Sequence, residues 1–374
     1  MTPCNIVILG LTITSSWGNG HATTYRGLVR ELVKNGYNVL FLERDMPWYA
    51  NNRDLVPSSY GRIELYGSID ELKNEYKKAI ASADLVIVGS YIPEGILVSD
   101  WITKVAKGVI AFYDIDTPVT ISRLAQNNCD YLIPQLIPQF DLYLSFAGGP
   151  ILDLLKKFYG APLVKPFFCS VDPESYYPDT HKIKYDLGYM GTFSADRQEA
   201  LDSLMFEPAR KMEKGQFVVA GPLYPDKQLW PSNVNHIDHV APSDHRDFYC
   251  SQRFTLNLTR ADMVKAGYAP SVRLFEAAAC AIPIISDYWD GLDSLFSIND
   301  EILLSKNSEQ TLDYLKNITD HERVAIGNRA RKKVLDNHTA ATRVKELESY
   351  WKEAIDMKIK SYKGVSQPKK ELKK

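Results

Sequence analysis

Short apolar runs alternate with amphipathic stretches along most of the 374 residues. The first run, NIVIL at 5–9, reads as a first strand. Tyr25, Leu28, Val29, Leu32 and Val33 then recur at helical spacing, Gly36 stops that helix, and YNVLFLE at 37–43 returns to strand. A strand, a helix and a second strand of this kind start a parallel sheet. The pattern continues with a helix around 70–82, a strand at 84–90, a helix near 95–106 and strands at 108–116 and 140–149. The stretch APLVKPFFCSVDPESYYPD, 161–179, carries four prolines and few helix formers, and reads as an interdomain linker.

A second alternation begins at YDLGYMGTF, 185–193. It predicts a helix over about 196–212, a strand at 216–222, a helix near 243–251, strands at 253–259 and 301–305, and long amphipathic helices over 308–357. The expected fold class is α/β, with two Rossmann-like domains facing a central cleft. The expected divisions are a first domain at 1–165, a hinge at 166–184, a second domain at 185–345, a helix returning to the first domain at 346–362, and a basic tail at 363–374.

The bulk numbers narrow the class without changing this outline. Hydrophobic residues are 45% and charged residues 24% of the chain, ordinary for a globular protein. The net charge of −2 indicates no nucleic-acid partner and no membrane surface. No apolar run reaches the roughly 20 residues that span a bilayer. MTPCNIVILG enters a strand with no basic leader, so no signal peptide is expected. Five cysteines, odd in number and without C-x-x-C, suit reduced thiols in the cytoplasm.

The chemistry centres on AGYAPSVRLFEAAACAIPIISDYWDG, 266–291. Pro270 suits a first helical turn, Ser271 can satisfy a free amide there, and the run from Val272 to Ala279 is apolar except for Arg273 and Glu276. Ile282, Ile284 and Ile285 follow as a buried strand. Such a loop, helix and strand offers free N–H groups and a positive dipole end, which suit a diphosphate, and Arg273 adds a fork of donors.

This stretch resembles the nucleotide-sugar segment of glycosyltransferases with the two-domain GT-B fold, including the retaining sucrose and glycogen synthase family. In that family a glutamate heads a run like E-A-M-A-x-G-x-P; here the run is E-A-A-A-C-A-I-P, which implies that Glu276 holds the ribose. The family's second glutamate falls at Tyr268, and its glycine before the strand is Ala281. The fuller string APSVRLFEAAAC, with PIISD and WDGL, is similar to the CgeB-like glycosyltransferases. The resemblance implies GT-B architecture, a nucleotide-diphosphate sugar as co-substrate rather than a bound cofactor, and C-terminal helices crossing back to the first domain.

The remaining candidates lie at predicted strand ends, where open α/β sheets collect ligands. In SSWGNGHATTYR, 15–26, Gly18 and Gly20 allow close backbone approach, and His21 suits a general base toward the acceptor or a donor to phosphate. Glu43, Asp45 and Trp48, after the second strand, suit hydroxyl recognition and stacking on the acceptor side. In FYDIDTP, 112–118, Asp114 is the candidate active-site carboxylate, and Asp116 a helix cap on the acceptor side. In the second half Gly191, Thr192 and Arg197 suit the diphosphate, Gly221 the base pocket, and Arg260 the donor sugar or phosphates, with Tyr268 and Ser271 also on the donor side. No D-x-D lies in a donor setting, so no metal is expected, and fixed cations and a helix start are left to carry the leaving group. The expected activity is sugar transfer from a nucleotide sugar to an unidentified acceptor. The alternatives are an epimerase or phosphorylase on the same fold, or a non-catalytic spore or envelope assembly protein with a sugar-nucleotide pocket.

Overall fold

The computed structural model describes residues 4–17, 20–55, 60–180, 182–225 and 227–365. Gly18 and the expected tail from residue 366 onward lie outside them.

The chain forms two parallel sheets. The first contains β1 (Asn5–Gly10), β2 (Asn38–Arg44), β3 (Arg62–Tyr66), β4 (Leu85–Gly89), β5 (Val109–Asp114), β6 (Leu142–Ser145) and β7 (Val164–Pro166), in the order β3-β2-β1-β4-β5-β6-β7. Its central strands are apolar throughout because helices cover both faces. Alternate residues show this: Ile6, Ile8, Ile87 and Tyr113 join one core, while Val7, Leu9, Val88 and Phe112 join the other. The long helix Ala340–Val365 inserts Val344, Leu347, Trp351 and Ala354 into the first of these cores, beside Tyr25, Leu28 and Val29 of the helix His21–Lys34. The C-terminal helix therefore crosses back to the first sheet.

The second sheet contains β8 (Tyr185–Met190), β9 (Phe217–Ala220), β10 (Val234–Ile237), β11 (Gln252–Asn257), β12 (Ile284–Ser286) and β13 (Leu303–Leu304), in the order β10-β9-β8-β11-β12-β13. The helix Val272–Ala279 buries Leu274, Phe275, Ala277 and Ala278 beneath it. That core continues across the domain boundary through Phe146, Ala147 and Ile151 of the first domain and Cys169 and Val171 of the connecting segment.

Four departures from the sequence expectations are local. The helix expected over 70–82 is two helices, Ile69–Glu75 and Lys77–Ser82, meeting at Tyr76. The helix expected over 196–212 is interrupted by a π-turn at Asp202–Phe206, just before Pro208, whose ring nitrogen cannot donate to the preceding turn. The strands β3, β7 and β10 were not expected; they are short strands at or next to sheet edges, with polar or proline-bearing sequences. The helix expected to open at Pro270 begins at Val272, with Ser271 as its extended N-cap.

In each sheet the strand order reverses between two neighbours, β1/β4 in the first and β8/β11 in the second. The loops leaving these strands face each other, which places a crevice where doubly wound sheets bind ligands.

Candidate active site

A cleft of about 500 Å³ lies between the two reversal points. The first domain contributes Ser16, Trp17, Gly20 and Thr23; the second contributes Gly191, Thr192, Gly221, Arg273 and Glu276, with Leu223, His239, Val240, His245 and Tyr249 beside them. Gly20 caps the helix His21–Lys34, and among the described residues a Cβ there would meet Val272, the first residue of the helix Val272–Ala279, at 4.0 Å. Two helix N-termini thus approach each other across the opening, and both direct partial positive charge toward it.

The floor on the second-domain side is built by close backbone approach. Gly221 has φ +148, and a Cβ on it would stand 2.1 Å from the Gly191 carbonyl oxygen. A Cβ on Gly191 would meet Tyr189 and Arg273 Nη2 at 2.6 and 2.9 Å. Only glycine allows these two strand ends to lie against each other and against the arginine.

Arg273 lines this floor, and Arg197 stands behind it within electrostatic reach without itself lining the cleft. Arg273 is 9% exposed; its Nε donates to the Met190 carbonyl (2.6 Å), its Nη1 to Asn257 Oδ1 (2.9 Å), and its guanidinium lies over the Tyr189 ring at 4.9 Å. Arg197 donates from Nη2 to the Thr192 carbonyl (2.6 Å), while its Nε is buried without a hydrogen-bond partner among the described residues. Burial lowers the Arg197 pKa, and the charge of Arg273 acts in the same direction. Ser271 does not cap the helix with its side chain but donates to Asn257 Oδ1 (2.9 Å). Asn257, fully buried at the end of β11, is therefore the hub that orients both Ser271 and Arg273.

Glu276 lines the cleft at 3% exposure and accepts a hydrogen bond from the Tyr249 hydroxyl at 3.0 Å. His245 Nδ1 lies 4.0 Å from the same oxygen. The sequence reading did not single out these two neighbours, nor Trp17 and Asn257. The spacing of His245 and Tyr249 in HRDFYC, one helical turn apart, was the available signal.

Several first-domain candidates serve the scaffold instead. Glu43 is fully buried and accepts from Ile13 N (2.7 Å), Thr14 N (3.0 Å), Thr12 Oγ1 (3.0 Å) and Thr14 Oγ1 (2.7 Å), so it ties down the loop after β1 and does not face an acceptor. Asp114 is also fully buried, accepting from Tyr143 (2.6 Å) and Thr120 (2.7 Å), and burial pushes it up to about 6. It sits inside the first domain rather than on the cleft wall. His21 opens its helix edge-on to Tyr91, with ring centroids 5.5 Å apart, and burial pushes its imidazole down to about 4, which makes it a weak base at neutral pH. Asp45 is held by Arg53, and Trp48 is half exposed on the short helix Pro47–Ala50; neither lines the cleft.

Three further candidates meet at the domain seam. Asp116 occupies the N-cap position of the helix Thr117–Ala125, without capping it by its side chain; its Oδ2 accepts from Tyr91 (2.9 Å) and faces Arg260 of the second domain at 3.5 Å. Arg260 is thereby engaged by a carboxylate. Tyr268, at φ +51, accepts from Gly148 N (2.9 Å) through its carbonyl, and its ring fills the space between Gly149 of the first domain and Gly291 of the second. It seals the seam where a donor-sugar contact was expected. Among the described residues no group of three or more His, Cys, Asp or Glu side chains is placed to hold a metal ion.

Residues 197–349 match the family model described as glycosyl transferase-like. No curated protein matches the chain. Among solved structures the chain is similar to a sucrose-phosphate synthase from Thermosynechococcus elongatus (11% identity, covering 95% of this chain and 100% of that one, TM-score 0.66). It is also similar to Anabaena HepE in complex with UDP-glucose (11% identity, 93% and 99% covered, TM-score 0.68). A third similar structure is an alpha-glucosyltransferase in complex with UDP (15% identity, 93% and 99% covered, TM-score 0.69). The chain shares the two-domain fold of these solved structures, and residues 197–349 match the glycosyl transferase-like family model.

Proposed function

We propose that this protein transfers a sugar from a nucleotide-diphosphate sugar to an acceptor that enters from the first-domain side. The observation that carries the reading is the pair of guanidinium groups at the end of β8, one with a buried, unpartnered Nε, beside the start of the helix Val272–Ala279. A buried cationic donor without an acceptor is costly unless an anion completes it. A diphosphate supplies that acceptor and takes on further negative charge as the glycosidic bond breaks, so the same groups favour the departing state. In this reading Glu276, about one turn further along the helix, takes the ribose hydroxyls and Leu223, His239 and Val240 the nucleobase, supported by their all lining the cleft. UDP and UDP-glucose in the similar solved structures support a nucleotide sugar as donor. Asp116 faces Arg260 at the domain seam, and its Oδ1 is buried without a hydrogen-bond partner among the described residues.

In this reading fixed cations carry the leaving group, and turnover persists in the presence of a chelator. The CgeB-like kinship is proposed on APSVRLFEAAAC and WDGL. Cytoplasmic residence is proposed because nucleotide sugars are the donors; no helix among the described residues is long and apolar enough to cross a membrane. The test is thermal unfolding in the presence of UDP, GDP, dTDP and their sugars. A nucleotide at 100 times its dissociation constant adds about 2.7 kcal/mol, and Arg197→Ala removes most of that gain. No stabilisation by any of these nucleotides at millimolar concentration would refute the proposal.

A further inference from the structure

We infer that Tyr249 is a positioning residue for Glu276 and sets the preference of the cleft for nucleotides with an intact ribose diol. The inference rests on the donor reading above.

The helix His245–Cys250 presents His245 and Tyr249 on one face, toward the helix Val272–Ala279. Tyr249 is fully buried, and its hydroxyl donates to Glu276 Oε2 at 3.0 Å. His245 is nearly as close to that oxygen, at 4.0 Å, but its nitrogens are engaged elsewhere: Nε2 faces the Val240 carbonyl at 3.2 Å and Nδ1 the Tyr176 hydroxyl at 3.0 Å. A carbonyl only accepts, so Nε2 carries the proton and Nδ1 accepts from Tyr176. Tyr176 also lies within hydrogen-bond reach of the Glu276 carboxylate, and burial first and that carboxylate next raise its phenol.

The terminal torsion of a glutamate is broad and nearly two-fold. A donor fixed to one oxygen removes that freedom and directs the other oxygen's lone pairs in one direction. Glu276 lines the cleft, so the direction that matters is toward a bound ribose. Tyr249 thus spends its hydroxyl on orienting the carboxylate before the nucleotide arrives, a form of preorganisation. Val240, whose carbonyl faces His245 Nε2, also lines the cleft.

The test measures dissociation constants of UDP, GDP and ADP, each beside its 2′,3′-dideoxy analogue, for the whole protein and for Tyr249→Phe, Glu276→Gln and the double variant. Wild type is expected to prefer the best ribonucleotide over its dideoxy analogue. Tyr249→Phe weakens that ribonucleotide about 10-fold and leaves the analogue within about two-fold, while the double variant loses no more than Glu276→Gln alone. Equal weakening of both nucleotides by Tyr249→Phe, or none of either, would show that Tyr249 only fills space and overturn the inference while leaving the donor reading standing. Wild type that binds ribo- and dideoxynucleotides alike overturns this inference and leaves the donor reading standing, whereas wild type that binds no nucleotide at all removes both. Glu276→Gln leaves the Tyr249 packing position intact, so a Glu276→Gln protein that keeps the full wild-type diol preference overturns the inference even where Tyr249→Phe unfolds.

Discussion

Glu43→Ala isolates the part of the scaffold that holds the first-domain side of the cleft. The carboxylate accepts four hydrogen bonds within a site that excludes solvent: two from backbone amides, Ile13 and Thr14, and two from hydroxyls, Thr12 and Thr14. The hydroxyls can rotate toward other acceptors, since Thr12 Oγ1 already lies 3.3 Å from the Ser15 carbonyl. The amides cannot. Each orphaned amide costs about 1–3 kcal/mol, and loss of the buried side chain leaves a void besides, so the expected destabilisation is about 3–5 kcal/mol. For a domain of this size that corresponds to a fall in Tm of roughly 10 °C. Glu43→Gln keeps one acceptor oxygen and the shape of the side chain, and is expected to lose about 1–2 kcal/mol. Thermal unfolding followed by circular dichroism measures both, and nucleotide titration measures a second effect. The loop tied by Glu43 leads into Ser16 and Trp17, so its release also weakens nucleotide binding. A Glu43→Ala protein that melts within about 2 °C of wild type, with acceptor use lost, would refute the reasoning and restore an acceptor-facing role for this carboxylate.

Asp114 makes the acid limb of stability predictable. It holds its proton up to about 6 when folded and to 3.8 when unfolded. The folded state therefore binds more protons between pH 4 and 6, and stability falls as pH rises through that window, by about 3 kcal/mol. Asp114→Asn lacks this term, so its Tm relative to wild type should climb from pH 4 to 6.5; a flat difference would show that the carboxyl is ionised throughout. The His21 imidazole resonances should stay fixed from pH 8 to 5 and move only near 4, and a midpoint above 6 would mark a solvated working base. Gly221→Ala is expected to cost about 2–3 kcal/mol and to weaken nucleotide binding, because its Cβ overlaps the Gly191 carbonyl. Gly36→Ala, at φ +87 with nothing within 4 Å, should cost only about 1 kcal/mol and leave binding intact; equal effects of the two on nucleotide affinity would deny the Gly191–Gly221 contact any role in the site.

The alternation of apolar and amphipathic segments was enough to determine two parallel sheets, because strands buried on both faces must be apolar throughout and their crossover helices must be amphipathic. The run around Glu276 and Arg273 likewise announced a helix start beside a strand end. Sequence did not reveal which carboxylates face the cleft. Glu43, Asp114 and Asp116 all close apolar strands and look alike in one dimension, yet the fold surrounds Glu43 with four donors, seals Asp114 beneath Tyr143 and leaves Asp116 opposite Arg260. Whether a strand-end acid solvates a ligand or a neighbouring loop depends largely on groups distant in sequence, such as Tyr143 for Asp114 and Arg260 for Asp116. The same holds for Arg260, Tyr268 and the Tyr249–Glu276 pair, whose partners lie on other elements. Local pattern sets which surfaces must be buried; only the packed tertiary structure decides which polar groups are consumed in satisfying one another and which, like Arg197 Nε, are left over for a ligand.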